Sequence, residues 1–357
     1  MIQRVSLLIW VLMLAALLLG LLSPSHVYYE GPRSSHFNGR QFDHSLYNSR
    51  PSMRRVLAWQ LRRSPGVWPS KSNLSRRDVP PLRYIDDDIR VTLVGHSTVL
   101  LQFEGINVLT DPVLDGQISM IPYLWQPRSV RPPGIEFDDL PPIDLVLISH
   151  DHPDHLDLAS LERLWLRDQP RVLTPLGVDR LIQRHLPQVE AKRFDWWQSH
   201  SWEADDDDAL DGLAATLVPA RHWSGRGLLD HNRTLWGGWV LQTRRGSIYF
   251  AGDSGYAPEL NQQLARQFAP MRLALLPIGG SQPAWLMEPQ NMSPQQAVAS
   301  HLQLGSYRAL AIHHGSFALT DEAFREPERS LQSALKAAGV DSEVFLAPAP
   351  GQMVKIP

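Results

Sequence analysis

Apolar residues in this chain gather into short runs that end in polar clusters, a pattern of buried strands opening onto a polar edge. Arg90-Val91-Thr92-Leu93-Val94-Gly95 and Ser97-Thr98-Val99-Leu100-Leu101-Gln102-Phe103 lead into the turn Glu104-Gly105-Ile106-Asn107. Val108-Leu109-Thr110-Asp111-Pro112 returns from it, so the folded region is expected to open as a hairpin series. Ile143-Asp144-Leu145-Val146-Leu147-Ile148 reads as the next strand. A helical stretch from Leu158 to Arg167 follows, then a strand at Val172-Leu173-Thr174 and an amphipathic stretch from Gly177 to His185.

The later half repeats this order. Strands are expected at Leu213 to Val218, Trp236 to Thr243, Ile248 to Ala251, Leu273 to Ile278 and Ala309 to Ile312. Ser293-Pro294-Gln295-Gln296 predicts a helix start, with serine as cap, proline in the first turn and Gln296 at the capping-box position; Gly305 ends that helix. Strands outnumber helices, and each half has strands followed by helices, which predicts two sheets with helices outside.

Two segments stand apart from this grammar. Val5 to Leu22 is an uncharged run long enough, at 18 residues and about 27 Å as a helix, to approach the thickness of bilayer hydrocarbon. No small-residue cleavage site follows it in Ser23-Pro24-Ser25-His26, so an uncleaved membrane anchor is expected over a cleaved signal peptide. An N-in orientation would put the remainder outside the cytoplasm; Arg4 against Arg33 and Arg40 leaves the cytoplasmic face as the alternative. Residues 23–88 are rich in Pro, Ser and Arg and read as a linker and irregular lead-in. Their arginines (Arg50, Arg54, Arg55, Arg62, Arg63, Arg76, Arg77) read first as solvated surface. Beside an anchor they would also be drawn to anionic headgroups, by about 1 kcal/mol each.

Composition narrows the classes. The chain has 357 residues, 43% hydrophobic and 20% charged, as globular domains are. A net charge of -3 offers no footprint for nucleic acid, so no such partner is expected. The absence of cysteine removes disulfides, thiolate metal ligation and a cysteine nucleophile. The acidic runs Asp86-Asp87-Asp88 and Asp205 to Asp208 lack histidine neighbours and read as solvated turns.

The candidate chemistry lies in Ser149-His150-Asp151-His152-Pro153-Asp154-His155-Leu156-Asp157, directly after a buried run. Imidazole with carboxylate suits zinc or a similar ion, and six such groups exceed what one ion needs. His222, Asp253 and His313 stand at three later strand ends. His150 and His152 can turn to one ion, while Asp154 and His155 face a second. Asp253 is the natural carboxylate to bridge two mutually repelling cations, and a bridging hydroxide would supply the nucleophile. Asp154 and Asp253 are therefore the candidate catalytic carboxylates. His314 competes with His313, but adjacent strand-end residues point opposite ways, so one of them should ligate.

H-x-H-x-D-H after a buried strand, then a histidine, Gly-Asp and a late histidine resembles the metallo-β-lactamase superfamily. Gly95-His96-Ser97-Thr98, Leu109 to Pro112, Ala220 to Arg226, Leu235 to Trp239, Ala251 to Tyr256 and Ala311 to Leu319 sharpen the match. Together they resemble its N-acyl-phosphatidylethanolamine-hydrolysing phospholipase D group and the bacterial relatives of the RomA type. The resemblance spans about residues 90 to 330. It implies an α/β fold, a four-layer αββα sandwich at 89–357, with two divalent ions, expected to be zinc. One ion would sit on His150, His152 and His222, the other on Asp154, His155 and His313, with Asp253 bridging. His96 would stand behind the ligands. Where the mammalian phospholipase carries a histidine near the metals, this chain has Asn291, which can hydrogen-bond a substrate but cannot shuttle protons.

The expected activity is hydrolysis of a phosphodiester in a membrane phospholipid. Asn291, Trp223 and Trp285 are the candidate substrate contacts; Trp223, Trp236, Trp239 and Trp285 could line an acyl groove and read at least equally as core. A carboxylic ester or lactone hydrolase is the alternative within enzymes. Outside enzymes, a metal-binding envelope protein is the alternative, against which structural zinc sites are usually closed and cysteine-rich. A homodimer is implied by the family and by no residue pattern here.

Overall fold

Side chains of the run Leu145-Val146-Leu147-Ile148 alternate between two separate cores. Leu145 and Leu147 join a cluster with Leu217, Trp239, Leu273 and Leu310, while Val146 and Ile148 join one with Leu161, Leu164 and Leu181. A strand buried on both faces needs apolar residues at every position, which is why it appears as a continuous run. The computed structural model describes residues 27–73, 77–116, 118, 127, 129–202, 210–227 and 230–357. The run Val5–Leu22, Arg76 and Asp205–Asp208 lie outside them. No helix among the described residues is long and apolar enough to cross a membrane.

The segment before the sheets carries helix α1 (Met53–Arg62) and puts Phe37 and Phe42 into the core. Strands β1 (Ile89–Gly95), β2 (Thr98–Phe103) and β3 (Ile106–Thr110) form an antiparallel meander. Three parallel strands extend it: β4 (Leu145–Leu147), β5 (Arg171–Pro175) and β6 (Ala191–Phe194), connected through α2 (Leu158–Asp168) and α3 (Val178–His185). Asp157 caps α2, its carboxylate accepting from Ser160 N at 3.0 Å.

The second sheet begins with antiparallel β7 (Ser199–Ser201), β8 (Ala214–Val218), β9 (Gly238–Thr243) and β10 (Gly246–Phe250). After α4 (Pro258–Phe268) comes β11 (Met271–Pro277), parallel to β10. Short α5 (Ala284–Met287) and α6 (Pro294–Leu304) precede β12 (Arg308–Ile312), and α7 (Glu326–Ala338) precedes β13 (Phe345–Leu346). Finally β14 (Met353–Ile356) returns to pair with β1. The expected capping box at Ser293 and Gln296 is present, and Gly305 closes α6 at φ 60°.

Two seven-stranded sheets result, ordered β14-β1-β2-β3-β4-β5-β6 and β13-β12-β11-β10-β9-β8-β7. Their facing sides share one apolar core. α2 and α3 cover the outside of the first sheet, and α4, α6 and α7 the outside of the second. This is the αββα sandwich expected from the sequence.

Candidate metal centre

Strand ends of both sheets converge at one edge of the sandwich. His96 follows β1, Asp111 follows β3, and His150 to His155 follow β4; His222 follows β8, Asp253 follows β10 and His313 follows β12. Ligand-type side chains gather there because these strands present their C-terminal ends together. The two sheets are also tied locally, since His313 N donates to His96 O at 2.9 Å and Gly237 N donates to Ser149 O at 3.0 Å. Gly252 is needed at this junction: its φ is 59°, and an added Cβ would lie 2.6 Å from Ser149 Cβ. That approach brings Asp253 against the β4 loop.

Besides an overlapping group of Asp111, His150 and His155, the donors form two groups. His150, His152 and His222 have ligand atoms within 4.8 Å of one another, and so do His96, Asp154, His155 and His313. Asp253 faces both. Its Oδ2 is 3.7 Å from His222 Nε2 and 3.2 Å from His313 Nε2, and its Oδ1 is 3.3 Å from His155 Nε2. His152 Nδ1 lies 2.9 Å from His150 Nε2 and 3.2 Å from His222 Nε2. Three imidazole nitrogens thus converge on one another.

Three histidines have their outer nitrogen engaged, which aims the inner one. His155 Nδ1 is 2.6 Å from Asp111 Oδ2, His150 Nδ1 is 2.8 Å from Ser149 Oγ, and His222 Nδ1 donates to Gln290 O at 2.9 Å. Such partners set the ring orientation of metal-binding histidines and raise their basicity. Meanwhile His155 Nε2 and Asp253 Oδ1, 3.3 Å apart within the cluster, are buried without a hydrogen-bond partner. An orphaned polar atom costs about 1–3 kcal/mol, and a divalent cation held between these groups would satisfy both. The residues fit divalent ions.

Electrostatics agree. Burial pushes the carboxyls of Asp154 and Asp253 up, but the histidines facing them, His155 first, prevail and hold both well below the usual carboxylate range. Burial works against charge on His313, yet Asp253 and Asp154 lift it to about 10. Asp154 and Asp253 thus favour positive charge on His155 and His313, a charge that a bound cation would supply in their place. His150 and His152, by contrast, are held neutral by burial and by neighbouring histidines, the form that binds metal.

Some expected residues sit apart from the donors. His314 turns away from its neighbour, its Nδ1 3.4 Å from Glu328. His96, expected behind the ligands, lies within the second donor group, its Nε2 3.1 Å from Asp154 Oδ2. Trp223 packs edge-on against His152 with ring centroids 4.3 Å apart. Asn291 is buried beside the cluster: a Cβ on Gly280 would meet its Nδ2 at 3.2 Å and His313 Cε1 at 3.1 Å. Trp285 lies at the surface under the Arg55 guanidinium, 5.6 Å from its ring. Trp236 and Trp239 are core residues whose indoles donate to Ala220 O and Ile148 O, just before His222 and His150.

Sequence reasoning assigned no role to Asp111, Ser149 or the Gln290 carbonyl, all of which orient histidines. Asp111 carried a usable signal, a lone buried-type carboxylate at the end of β3. The Gln290 carbonyl carried none, because a main-chain contact across 68 positions leaves no residue-type trace.

Residues 106–314 match the family model described as a β-lactamase superfamily domain. The N-acyl-phosphatidylethanolamine-hydrolyzing phospholipase D 1 of Caenorhabditis elegans is 29% identical over 315 residues, covering 84% of this chain and 88% of that protein. An uncharacterized protein of Mycobacterium tuberculosis is 35% identical over 311 residues, 84% of this chain and 77% of that protein. Among solved structures, the isothiocyanate hydrolase from Delia radicum gut bacteria shares the fold with a TM-score of 0.57 at 20% identity, covering 74% of this chain and 98% of that one. On this sequence likeness, fold and donor set, the chain belongs to the metallo-β-lactamase superfamily and is a metal-dependent hydrolase.

Proposed function

We propose that this hydrolase uses two divalent metal ions, zinc by donor chemistry, to cleave a phosphodiester bond in a membrane phospholipid of the N-acyl-phosphatidylethanolamine kind. The observation that carries the dinuclear reading is the position of Asp253, whose two oxygens face donors of both groups. His150, His152 and His222 would hold one ion; Asp154, His155 and His313 would hold the other; Asp253 would serve both. Such ions, when bound, supply Lewis-acid polarisation of a phosphoryl oxygen and activation of water at neutral pH.

The chain's own residues supply orientation and recognition. Asp111, Ser149 and Gln290 O fix three imidazoles before any substrate arrives, so no reorganisation is needed at the moment of reaction. Asn291 donates through Nδ2 to Gly280 O at 3.2 Å, and its Oδ1 is buried without a partner. The amide is therefore oriented as an acceptor, suited to an N–H or O–H donor on the substrate rather than to a phosphate oxygen. An N-acylated ethanolamine carries such an N–H. Trp223, held by its indole N–H to Gln290 Oε1, offers an apolar wall beside His152. The likeness to the Caenorhabditis elegans phospholipase supports the lipid class.

The run Val5–Leu22 supports attachment through the N-terminus, with the hydrolase part on the extracytoplasmic side; a topology reporter at the C-terminus checks this. For the dinuclear reading, metal analysis of the purified chain should give two ions. His152→Ala should lose both metal and turnover. One ion per chain with full turnover would overturn the reading.

A further inference from the structure

Helix α1 exposes an apolar stripe where an amphipathic helix would normally bury one. Met53, Leu57 and Leu61, spaced i, i+4, i+8, share one face and are 54%, 56% and 87% exposed. Only Trp59 of this helix is buried, packed on Leu286 and Met287 of α5. Val67, just beyond, is 86% exposed and Trp285 beside the helix 47%. Single exposed apolar residues need no explanation, but a continuous stripe on one helix marks a surface that is covered in use.

The charges around the stripe say what covers it. Arg54 and Arg62 are exposed on the same helix, Arg55 reaches Trp285 O and Arg63 pairs with Asp321 at its base, and no acidic residue lies within α1. Past the helix, an open groove of about 550 Å³ is lined by Trp68, Lys71, Arg325 and Arg329. The nearby carboxylates are already engaged: Asp321 by Trp59 Nε1 and Arg63, and Glu328 by Arg131 and Arg325. A helix with leucines on one face and arginines beside them has the composition of an interfacial membrane helix.

Its attachment points matter. Trp59 packs on Leu286 and Met287, and the carbonyl of Met287 accepts from the backbone N–H groups of Gln290 and Asn291. Trp68 donates to Glu322 O, and the Glu322 carboxylate accepts from Gly280 N beside His313 and Asn291. The apolar stripe is therefore fastened to the segments that carry Gln290, Asn291 and Gly280 beside His222 and His313.

We infer that the α1 stripe with its arginines, and the basic groove beyond it, form a docking face for an anionic bilayer, seated at the mouth of the metal centre. This rests on the surface alone; the phospholipid reading above determines only what would be cleaved after docking. Docking presses Met53, Leu57 and Leu61 into the acyl boundary and leaves the arginines at headgroup level.

The chain contains no cysteine, so a single introduced thiol can be labelled uniquely in the 357-residue chain. Leu61→Cys and, as a control on α6, Leu302→Cys (54% exposed) would carry an environment-sensitive nitrobenzoxadiazole group. With vesicles of phosphatidylcholine plus phosphatidylglycerol, the label at position 61 should shift to the blue and brighten, and the label at position 302 should not. Phosphatidylcholine alone or high salt should weaken the response. Charge reversal by Arg54→Glu with Arg62→Glu should raise the lipid needed for half-response by at least about fivefold per arginine. A position-61 label that stays in water on anionic vesicles would overturn the inference, as would equal shifts at both positions. A shift without vesicles that rises with protein concentration would point instead to a second copy and overturn it too. Reading the label in Asp253→Ala protein separates this outcome from any failure of the hydrolytic reading.

Discussion

His155 Nδ1 lies 2.6 Å from Asp111 Oδ2, and both side chains are fully removed from solvent. Asp111 also accepts from Ser149 N at 2.7 Å and from Ser149 Oγ, so one carboxylate fixes the first histidine loop at both ends. Asp111→Asn keeps the size but weakens the pull on the His155 ring. The expected outcome is an about 10- to 100-fold loss of metal affinity with the fold retained, read by chelator competition and far-ultraviolet circular dichroism. Unchanged affinity would show that Asp111 does not position the ligand.

Asn291 makes a sharper statement about substrate. Its acceptor oxygen is oriented by the Nδ2 bond to Gly280 O, so Asn291→Ala removes recognition of a donor and leaves the metal donors in place. An unpaired amide contact is worth about 1–2 kcal/mol, so kcat/KM should fall by about tenfold on a lipid carrying the amide N–H. On an analogue with that nitrogen methylated, wild type and variant should react alike. An equal loss on both substrates would assign Asn291 to packing.

How much of this was legible beforehand follows from which faces are buried. The strand before His150 and the strands ending at His222, Asp253 and His313 were readable because both of their faces are covered, which forces unbroken apolar runs. β6 and β14 were not: they are the two edges of the first sheet, with one buried residue each, and so lack an apolar run. α1 escaped notice because its stripe faces outward and only Trp59 is buried. α4 and α7 did carry a usable signal, since Leu260, Leu264 and Phe268, and Leu331 with Leu335, are buried at helical spacing. At the site, the ligand types were legible from their own chemistry. The main-chain acceptor at Gln290 and the packing of Trp59 under the substrate side depend on contacts between distant segments.

The loop after His313 rests on a buried ion pair. Arg131 is buried, and its Nη2 donates to Glu328 Oε1 at 2.9 Å; Arg325 reaches the same carboxylate at 3.0 Å and His314 at 3.4 Å. Burial pushes the Glu328 carboxyl up, but His314 and Arg131 outweigh it and hold the group well below the usual range. A depressed folded-state value gives stability that is fully present above the unfolded value of about 4.3 and is lost as pH falls from there toward the folded value. Glu328→Gln leaves Arg131 without its counter-charge, so a cost of about 3 kcal/mol at neutral pH is expected from chemical denaturation. The gap between wild type and variant should narrow as the pH falls below that unfolded value. A gap that stays constant through that window would refute the assignment.

Product analysis tests the central claim most directly. The metal-loaded full-length chain is incubated with N-acyl-phosphatidylethanolamine and the lipids are resolved by mass spectrometry. Phosphodiester cleavage on the ethanolamine side should give N-acylethanolamine and phosphatidic acid in equal amounts, with both products lost in Asp253→Ala. Release of free fatty acid with a lysophospholipid would show attack at a carboxylic ester instead. That result, or undiminished product formation by Asp253→Ala, would contradict the account.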